Sequence, residues 1–397
     1  MRALAVLQKR LRRSIPSVHL KRLNALVDVV GSAVYGGRLT LSALGRHLES
    51  RSAVRHRIKR VDRLLGNVQL HDERLLFYRL LCDLLIGTRP EPVVIVDWSD
   101  LRSDRSWLLL RASVWVHGFA LPIYEEVHPL RLQNNRRVQR EFLLTLRMLL
   151  AGSVRPIVVA DAGFRSPWFE EVERLGWHWV GRVRGRTMIE MEGSWRHCRT
   201  LFAQATGKPK DLGINAITRA RPVTGRLCLY RKRPQGRHDI NRYGRPAKGG
   251  TSRKNAKRES EPWLIAASPS LHDKTALDLV NLYKIRMRIE HSFRTLKSHQ
   301  FGFAFEDSQT RSGHRMAVLL LIHALALLLA WIAGWAAQRN GLYAKLRSNI
   351  TEPNSLSIIT LGQMALTMLR TRLSVSDFAA ALHNPLAHPP SPGRGRI

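Results

Sequence analysis

Residues Met316 to Ala337 form a run of about 22 with no charged side chain and only His323 as a clearly polar interruption. No other stretch limits the fold so severely. A helix that is apolar on every side must be surrounded, either by lipid or by the rest of the protein. Three features favour protein. The segment is single, cationic sequence flanks it on both sides, and no aromatic belt marks its two ends. It is expected to be a buried helix of a large soluble core. The competing class, a membrane-associated basic protein built on this span, would release from membranes only with detergent.

The chain around it has 397 residues, enough for two or three domains, and 44% apolar residues, as in a globular protein. Its formal charge of +35 repels itself unless a polyanion is close, so nucleic acid is the expected partner. Three scattered cysteines (Cys82, Cys198, Cys228), without a CxxC pair, fit a reducing cytoplasm and argue against zinc or a disulfide framework. MRALAVLQKRLRRS is basic and lacks the apolar run of a signal peptide. A cytoplasmic, nucleoid-associated protein with no stable membrane association is expected.

Residues 1–90 read as helical and basic. Leu39 to Glu49 has helical apolar spacing, and a polar turn leads to Ser52–Asn67. In that second helix Val54, Ile58, Val61 and Leu65 mark the buried side, and Arg55, Arg57, Lys59, Arg60 and Arg63 crowd the rest. Helix, turn and cationic helix is the pattern of a helix-turn-helix DNA reader, with Arg55, Lys59 and Arg60 as candidate contacts. A cationic bundle touching phosphates alone would share it.

From Pro92 the pattern changes. PVVIV is a β-branched run that ends in Asp97, and PIVVA is a second that ends in Asp161. Between them lie two strand-like runs, WLLLRASVWV and FALPIYEEV, joined at His117-Gly118, and a helix over Arg136–Ala151. A short helix (Trp168–Leu175) and a strand (WHWVGRVRG) follow. This order describes an α/β fold with a mixed sheet. Residues 187–260 read as a β-rich insertion with a cationic loop over Pro234–Arg258, and Trp263–Ala267 returns the chain to the sheet. A C-terminal helical region (339–397) has LGQMALTMLRTRL as its best helix and HPPSPGRGRI as a disordered tail.

Two carboxylates at the ends of buried strands can emerge at one sheet edge. A third comes from Ala276–Ser298, which contains neither Gly nor Pro. As one helix it places Tyr283, Arg286, Glu290 and Lys297 within an arc of roughly 60°. A stripe of Leu282, Ile285, Ile289, Phe293 and Leu296 lies beside that arc. Three acids without a His or Cys cluster are an oxygen-donor set suited to Mg²⁺ or Mn²⁺. Such ions support phosphodiester exchange. Asp100, Glu125, Glu126, Glu170 and Glu192 are rivals for the acidic roles, Asp100 the strongest.

Tyr283, Arg286, Glu290 and Lys297 match in spacing the YREK signature of bacterial DDE transposases. VDWSDLR, VVADAGFRSPW and EPWLIA resemble the insertion-sequence-four family, nearest its insertion-sequence-ten branch, as do HLKRLNALV and IKRVDRLLGN. The resemblance implies an RNase H-like mixed-sheet core in two parts (91–186 and 261–338), interrupted by the insertion. It implies a catalytic and metal-binding triad of Asp97, Asp161 and Glu290. It further implies cut-and-paste transposition through a hairpin, acting as a homodimer on double-stranded DNA, both terminal inverted repeats and target. Tyr283, Arg286 and Lys297 would engage phosphates near the cleaved end. Arg182, with Arg184 as its competitor, would lie near the same phosphate. Trp263 would stack on a flipped base, unless it is a packed core indole. A catalytically inactive DNA-binding derivative would share these features.

Overall fold

The architecture was obtained as a computed structural model. It describes residues 2–233, 245–247, 249–250, 252–253, 260–299, 302–346, 356–368 and 373–383. The uncharged run lies within one helix, Gly313–Arg339, and every residue from Met316 to Ala337 is buried, His323 included. By length and composition this helix could cross a membrane, yet its whole apolar window is enclosed by protein. The N-terminal helices, the sheet and the C-terminal helices share one continuous apolar cluster with it. Two glycines allow the closest approach. A Cβ on Gly334 would lie 2.0 Å from the Ile358 carbonyl oxygen, and one on Gly362 would lie 1.7 Å from that of Ala330. Gly362 belongs to the helix Ile358–Thr367, so the best C-terminal helix begins before LGQMALTMLRTRL and ends inside it. A further short helix follows at Val375–His383.

The basic N-terminal part is helical as expected: α1 (Arg2–Ser14), α2 (Leu20–Gly36), α3 (Leu41–His47), α4 (Val54–Leu65) and α5 (Val68–Leu85). Thr40 caps α3 by accepting from the Ala43 N–H. The α3–α4 crossing is tight because a Cβ on Gly45 would meet the Ile58 Cα at 2.6 Å. α4 buries Val61, Leu64 and Leu65. Val54 does not mark the buried side: it lies in the first turn of α4, is 40% exposed, and the burial falls on the later turns.

The strands are β1 (Val93–Asp100), β2 (Trp107–Val116), β3 (Phe119–Pro129), β4 (Ile157–Ala160), β5 (His178–Val183), β6 (Met188–Met191), β7 (Ser194–His197), β8 (Lys210–Ile217), β9 (Val223–Tyr230) and β10 (Trp263–Ala267). They form one ten-stranded sheet ordered β3-β2-β1-β4-β5-β10-β9-β8-β6-β7. β1, β4 and β5 are parallel, and the hairpin β2–β3 adds antiparallel strands at β1. The hairpin turns at His117 and Gly118, whose φ angles of 43° and 84° suit a two-residue loop. The crossover helices α6 (Arg136–Leu149) and α7 (Ser166–Arg174) lie close to the expected ranges. β10 pairs antiparallel with β5, and through β9 and β8 the strands of the expected insertion extend the same sheet. Most of the basic loop over Pro234–Arg258, and the tail HPPSPGRGRI, lie outside the described residues.

The helix expected over Ala276–Ser298 is two segments, α8 (Ala276–Ile285) and α9 (Met287–Lys297), meeting at Arg286. The dihedrals of Arg286 stay helical (φ −48°, ψ −38°). Its N–H bonds to the Tyr283 carbonyl, and the Ile289 N–H bonds back to the Arg286 carbonyl, each spanning three residues. The junction is therefore a tightened turn. α8 packs on a second apolar cluster with Val159, Val180, Ile265 and Tyr283, on the side of the sheet away from the long helix.

Candidate active site

The register of β1 against β4 builds the centre of the site. Val96 pairs with Ala160, so the next residues, Asp97 and Asp161, stand side by side where the parallel pairing ends; Asp161 lies just past β4, whereas β1 does not end at Asp97 as expected but runs on to Asp100, held by β2. Asp97 accepts from the Trp98 N–H at 2.8 Å, and Asp161 accepts from the Gly163 N–H at 2.7 Å. A Cβ on Gly163 would stand 2.9 Å from Asp161 Oδ1, so a side chain there would push the carboxylate aside.

Arg286 joins these strands to the helix. Its Nη1 is 3.4 Å from Asp97 Oδ2 and its Nη2 is 3.0 Å from Glu290 Oε1. Burial and the neighbouring Asp161 push the Asp97 carboxyl up to about 7; Arg286 opposes this and Glu290 adds to it. Burial also works against the charge on Arg286, but Tyr283, Asp97 and Glu290 outweigh it and hold the guanidinium protonated. Among the described residues no three His, Cys, Asp or Glu side chains are gathered closely enough to enclose an ion. Glu290 instead faces the aspartates through the guanidinium, which neutralises acids that would otherwise repel.

The other signature residues surround this bridge. Tyr283 is buried, its phenol raised by burial, and it meets the Trp263 ring edge-to-face at 5.1 Å. Trp263 is 8% exposed and also touches Tyr230. Lys297 lies farther along β1, its Nζ donating to Ser99 Oγ at 2.9 Å, and burial lowers its pKa. Arg182 is half-buried on β5 and donates to the carbonyls of Glu261 and Pro262 at 3.3 Å each. Its competitor Arg184 is paired with the Glu261 carboxylate at 2.8 Å. The Nε atoms of both Arg182 and Arg286 are buried without a hydrogen-bond partner among the described residues.

None of the rival acids joins this group. Asp100 pairs with Arg105, Glu126 with His128, Glu170 with Arg221 and Glu192 with Arg196. Glu125 is buried against Arg111. In the N-terminal helices, Lys59 pairs with Asp62 and Arg60 with Asp28, each at 3.2 Å, while Arg55 is exposed beside His56. Sequence reasoning missed the structural part of Arg111, although a charge inside WLLLRASVWV was itself a signal.

The transposase DDE domain profile matches residues 88–329, more than half the chain and all three acids. The chain belongs to the DDE transposase domain family. No curated protein matches it. As a member of this family the chain is an enzyme acting on DNA, and DDE transposases generally use divalent metal ions. The all-oxygen donor set and the electrostatic pressure on Asp97 fit such ions, since added positive charge beside Asp97 and Asp161 would relieve their repulsion. The large mixed sheet suits an RNase H-like transposase domain.

Proposed function

We propose that this transposase excises and inserts a bacterial insertion sequence by cut-and-paste chemistry, as the insertion-sequence-four family does, with Asp97, Asp161 and Glu290 as its catalytic triad. The observation that carries the reading is the Val96–Ala160 register, which sets Asp97 beside Asp161, together with the Arg286 bridge to Glu290. The three carboxylates would hold Mg²⁺ or Mn²⁺. Bound there, the ions supply the charge that activates a water or a 3′-hydroxyl and stabilises the leaving oxygen.

The chain's own part is positioning. Arg286 and Arg182 each keep a buried Nε–H without an acceptor, and a phosphate oxygen provides one. When the scissile phosphate draws Arg286 toward it, Glu290 is released from its ion pair to join the aspartates. Tyr283 and Trp263 form the apolar floor under Arg286, and Lys297 extends the cationic track along β1. Base stacking on Trp263 during a hairpin step requires that indole to be uncovered first. Arg55, Lys59 and Arg60 on α4 grip the transposon end, and a dimer holds two ends together. The domain scheme stays part of the proposal: a DNA-binding unit over 1–90, core parts at 91–186 and 261–338, an insertion over 187–260 and a C-terminal region from 339.

Glu290→Gln tests the assignment on DNA carrying the inverted repeats that flank the reading frame. Strand cleavage should be abolished and end binding retained, because the change removes a carboxylate far from α4. Retained cleavage rejects the triad. A wild-type protein that binds ends and cuts nothing would be the inactive derivative.

A further inference from the structure

The segment from Gly302 to Arg315 leads from α9 into the long helix, and it is fastened to the N-terminal helices near both of its ends. Close to its start the Phe303 carbonyl accepts from the Leu39 N–H at 2.9 Å, at the junction of α2 and α3. At its finish Arg315 reaches α4, with Nη2 donating to Asp62 Oδ1 at 2.7 Å and Nη1 to the Asp62 carbonyl at 3.3 Å. The Arg315 bond, followed by that of Lys59, holds the Asp62 carboxyl below its ordinary range. Asp307 adds a looser tie, 4.0 Å from Arg38.

Between these ties the segment closes the end of α9. The Phe303 N–H donates to the Thr295 carbonyl at 2.9 Å and the Ala304 N–H to the Ser298 carbonyl at 3.2 Å. A Cβ on Gly302 would lie 2.2 Å from the Thr295 oxygen, so the segment's backbone rests directly on the helix. Arg102, in the loop after β1, donates to the Thr310 carbonyl at 3.2 Å. The Phe303 ring is buried edge-on to His323 of the long helix, at 5.0 Å. Ala304 and Gln309, flanking a short turn over Phe305–Ser308, hold left-handed backbone with φ angles of 47° and 52° although neither is glycine. Such conformations persist where the surroundings impose them, and they gather in segments that switch. A segment clamped to several elements at once passes a displacement of one to the others.

We propose that Gly302–Arg315 is a strap that makes the placement of α9 depend on what α3 and α4 hold, with Arg315 and Asp307 as positioning residues. When α4 settles on a transposon end, Asp62 moves with it and Arg315 draws the strap along. The bonds at Thr295 and Ser298 carry that shift into α9, and so to Glu290 and Lys297. Cleavage is thereby favoured on a recognised end over DNA held by charge alone. The strap rests on the reading of α4 as the grip on the end, but it does not require the triad to be assigned correctly, because it concerns where α9 lies.

The test is amide hydrogen exchange of the full chain without metal, read by mass spectrometry. The probe is a duplex of the inner part of the inverted repeat that stops short of the cleavage site, beside a scrambled duplex of equal length. The inner repeat should protect α3 and α4 and also slow exchange in the strap and α9 by about fivefold, although it does not reach α9. The scrambled duplex should leave α9 unchanged. Arg315→Ala should keep the protection of α3 and α4 and lose that of α9, and Arg315→Lys should restore most of it. On complete ends, at saturating protein, Arg315→Ala should cleave about tenfold more slowly in a single turnover without weaker end binding. Should Arg315→Ala fail to fold, Asp307→Ala, on a more exposed tie, should reduce α9 protection in the same direction. Protection that stops at α4 in the wild type would overturn the proposal. So would exchange in α9 that Arg315→Ala speeds equally with and without DNA, because the strap would then be a static brace. No protection of α3 and α4 by either duplex would remove the end-grip reading and the strap with it, whereas cleavage retained by Glu290→Gln would remove the triad alone.

Discussion

Two arginines tie the sheet to α9, and they do so in opposite styles. Arg111 on β2 is sealed: it and Glu125 on β3 have fully buried side chains, joined from Nε to Oε1 at 2.8 Å. Its Nη1 donates to Ser292 of α9 at 3.0 Å, its guanidinium lies 5.0 Å from the Phe293 ring centre, and Tyr78 donates to Glu125 at 3.2 Å. Arg286 makes looser bonds to Asp97 and Glu290, keeps an Nε without a partner, and its Glu290 partner has a side chain 40% exposed. One bridge fixes where α9 lies. Both carry a buried nitrogen without a hydrogen-bond partner, Nη2 of Arg111 and Nε of Arg286, so the difference lies in access: the Glu290 end of the second bridge is open where a ligand must enter.

The contrast can be broken by removing each arginine. Arg111→Met strands the Glu125 carboxylate where no water reaches it, and should cost about 3–5 kcal/mol in urea unfolding. Arg286→Ala should cost less than about 2 kcal/mol, because Glu290 is rehydrated and Asp97 can take up a proton. Equal losses would mean that both bridges are structural.

Asp97 sharpens the difference through pH. Its folded pKa is raised to about 7, whereas an unfolded aspartate ionises near 3.9. Between those values the folded chain keeps a proton that the unfolded chain has released. Stability therefore declines as pH rises from about 4 to about 7 and levels off above, by a few kcal/mol at most. Asp97→Asn has nothing to titrate, so its stability relative to wild type should improve steadily over that window. Urea midpoints measured from about pH 5 to about pH 8 read this directly. Added Mg²⁺ should restore wild-type stability at the upper end and leave the Asn variant unmoved. A difference independent of pH would show that burial and Asp161 do not raise the Asp97 pKa in the folded chain.

Much of this layout was legible in the chain. Two β-branched runs ending in Asp97 and Asp161 announce acids at a sheet edge, because a buried run followed by a carboxylate has to emerge somewhere. The burial of Met316–Ala337 follows from its all-round apolarity. Side-chain partnership was not legible. Periodicity places Tyr283, Arg286, Glu290 and Lys297 on one arc, but it cannot show that Arg286 lies between two acids or that Lys297 belongs to Ser99. Nor could it place Trp263, since an aromatic at a strand start reads alike whether it faces a base or, as here, Tyr283 and Tyr230.

The smallest expected effect concerns how far the sealed bridge supports the open one. Ser292 stands two residues from Glu290 on α9 but points toward Arg111, and it is buried. Ser292→Ala leaves Arg111 its bond to Glu125 and removes one acceptor, so stability should fall by only about 1 kcal/mol. If that hydrogen bond sets the tilt of α9, the position of Glu290 loosens as well, and small misplacements at a reacting centre are expensive. Single-turnover cleavage per folded molecule should then drop several-fold while end binding stays unchanged. A rate that falls only in proportion to the folded fraction would confine Arg111 and Ser292 to stability and separate the two bridges completely.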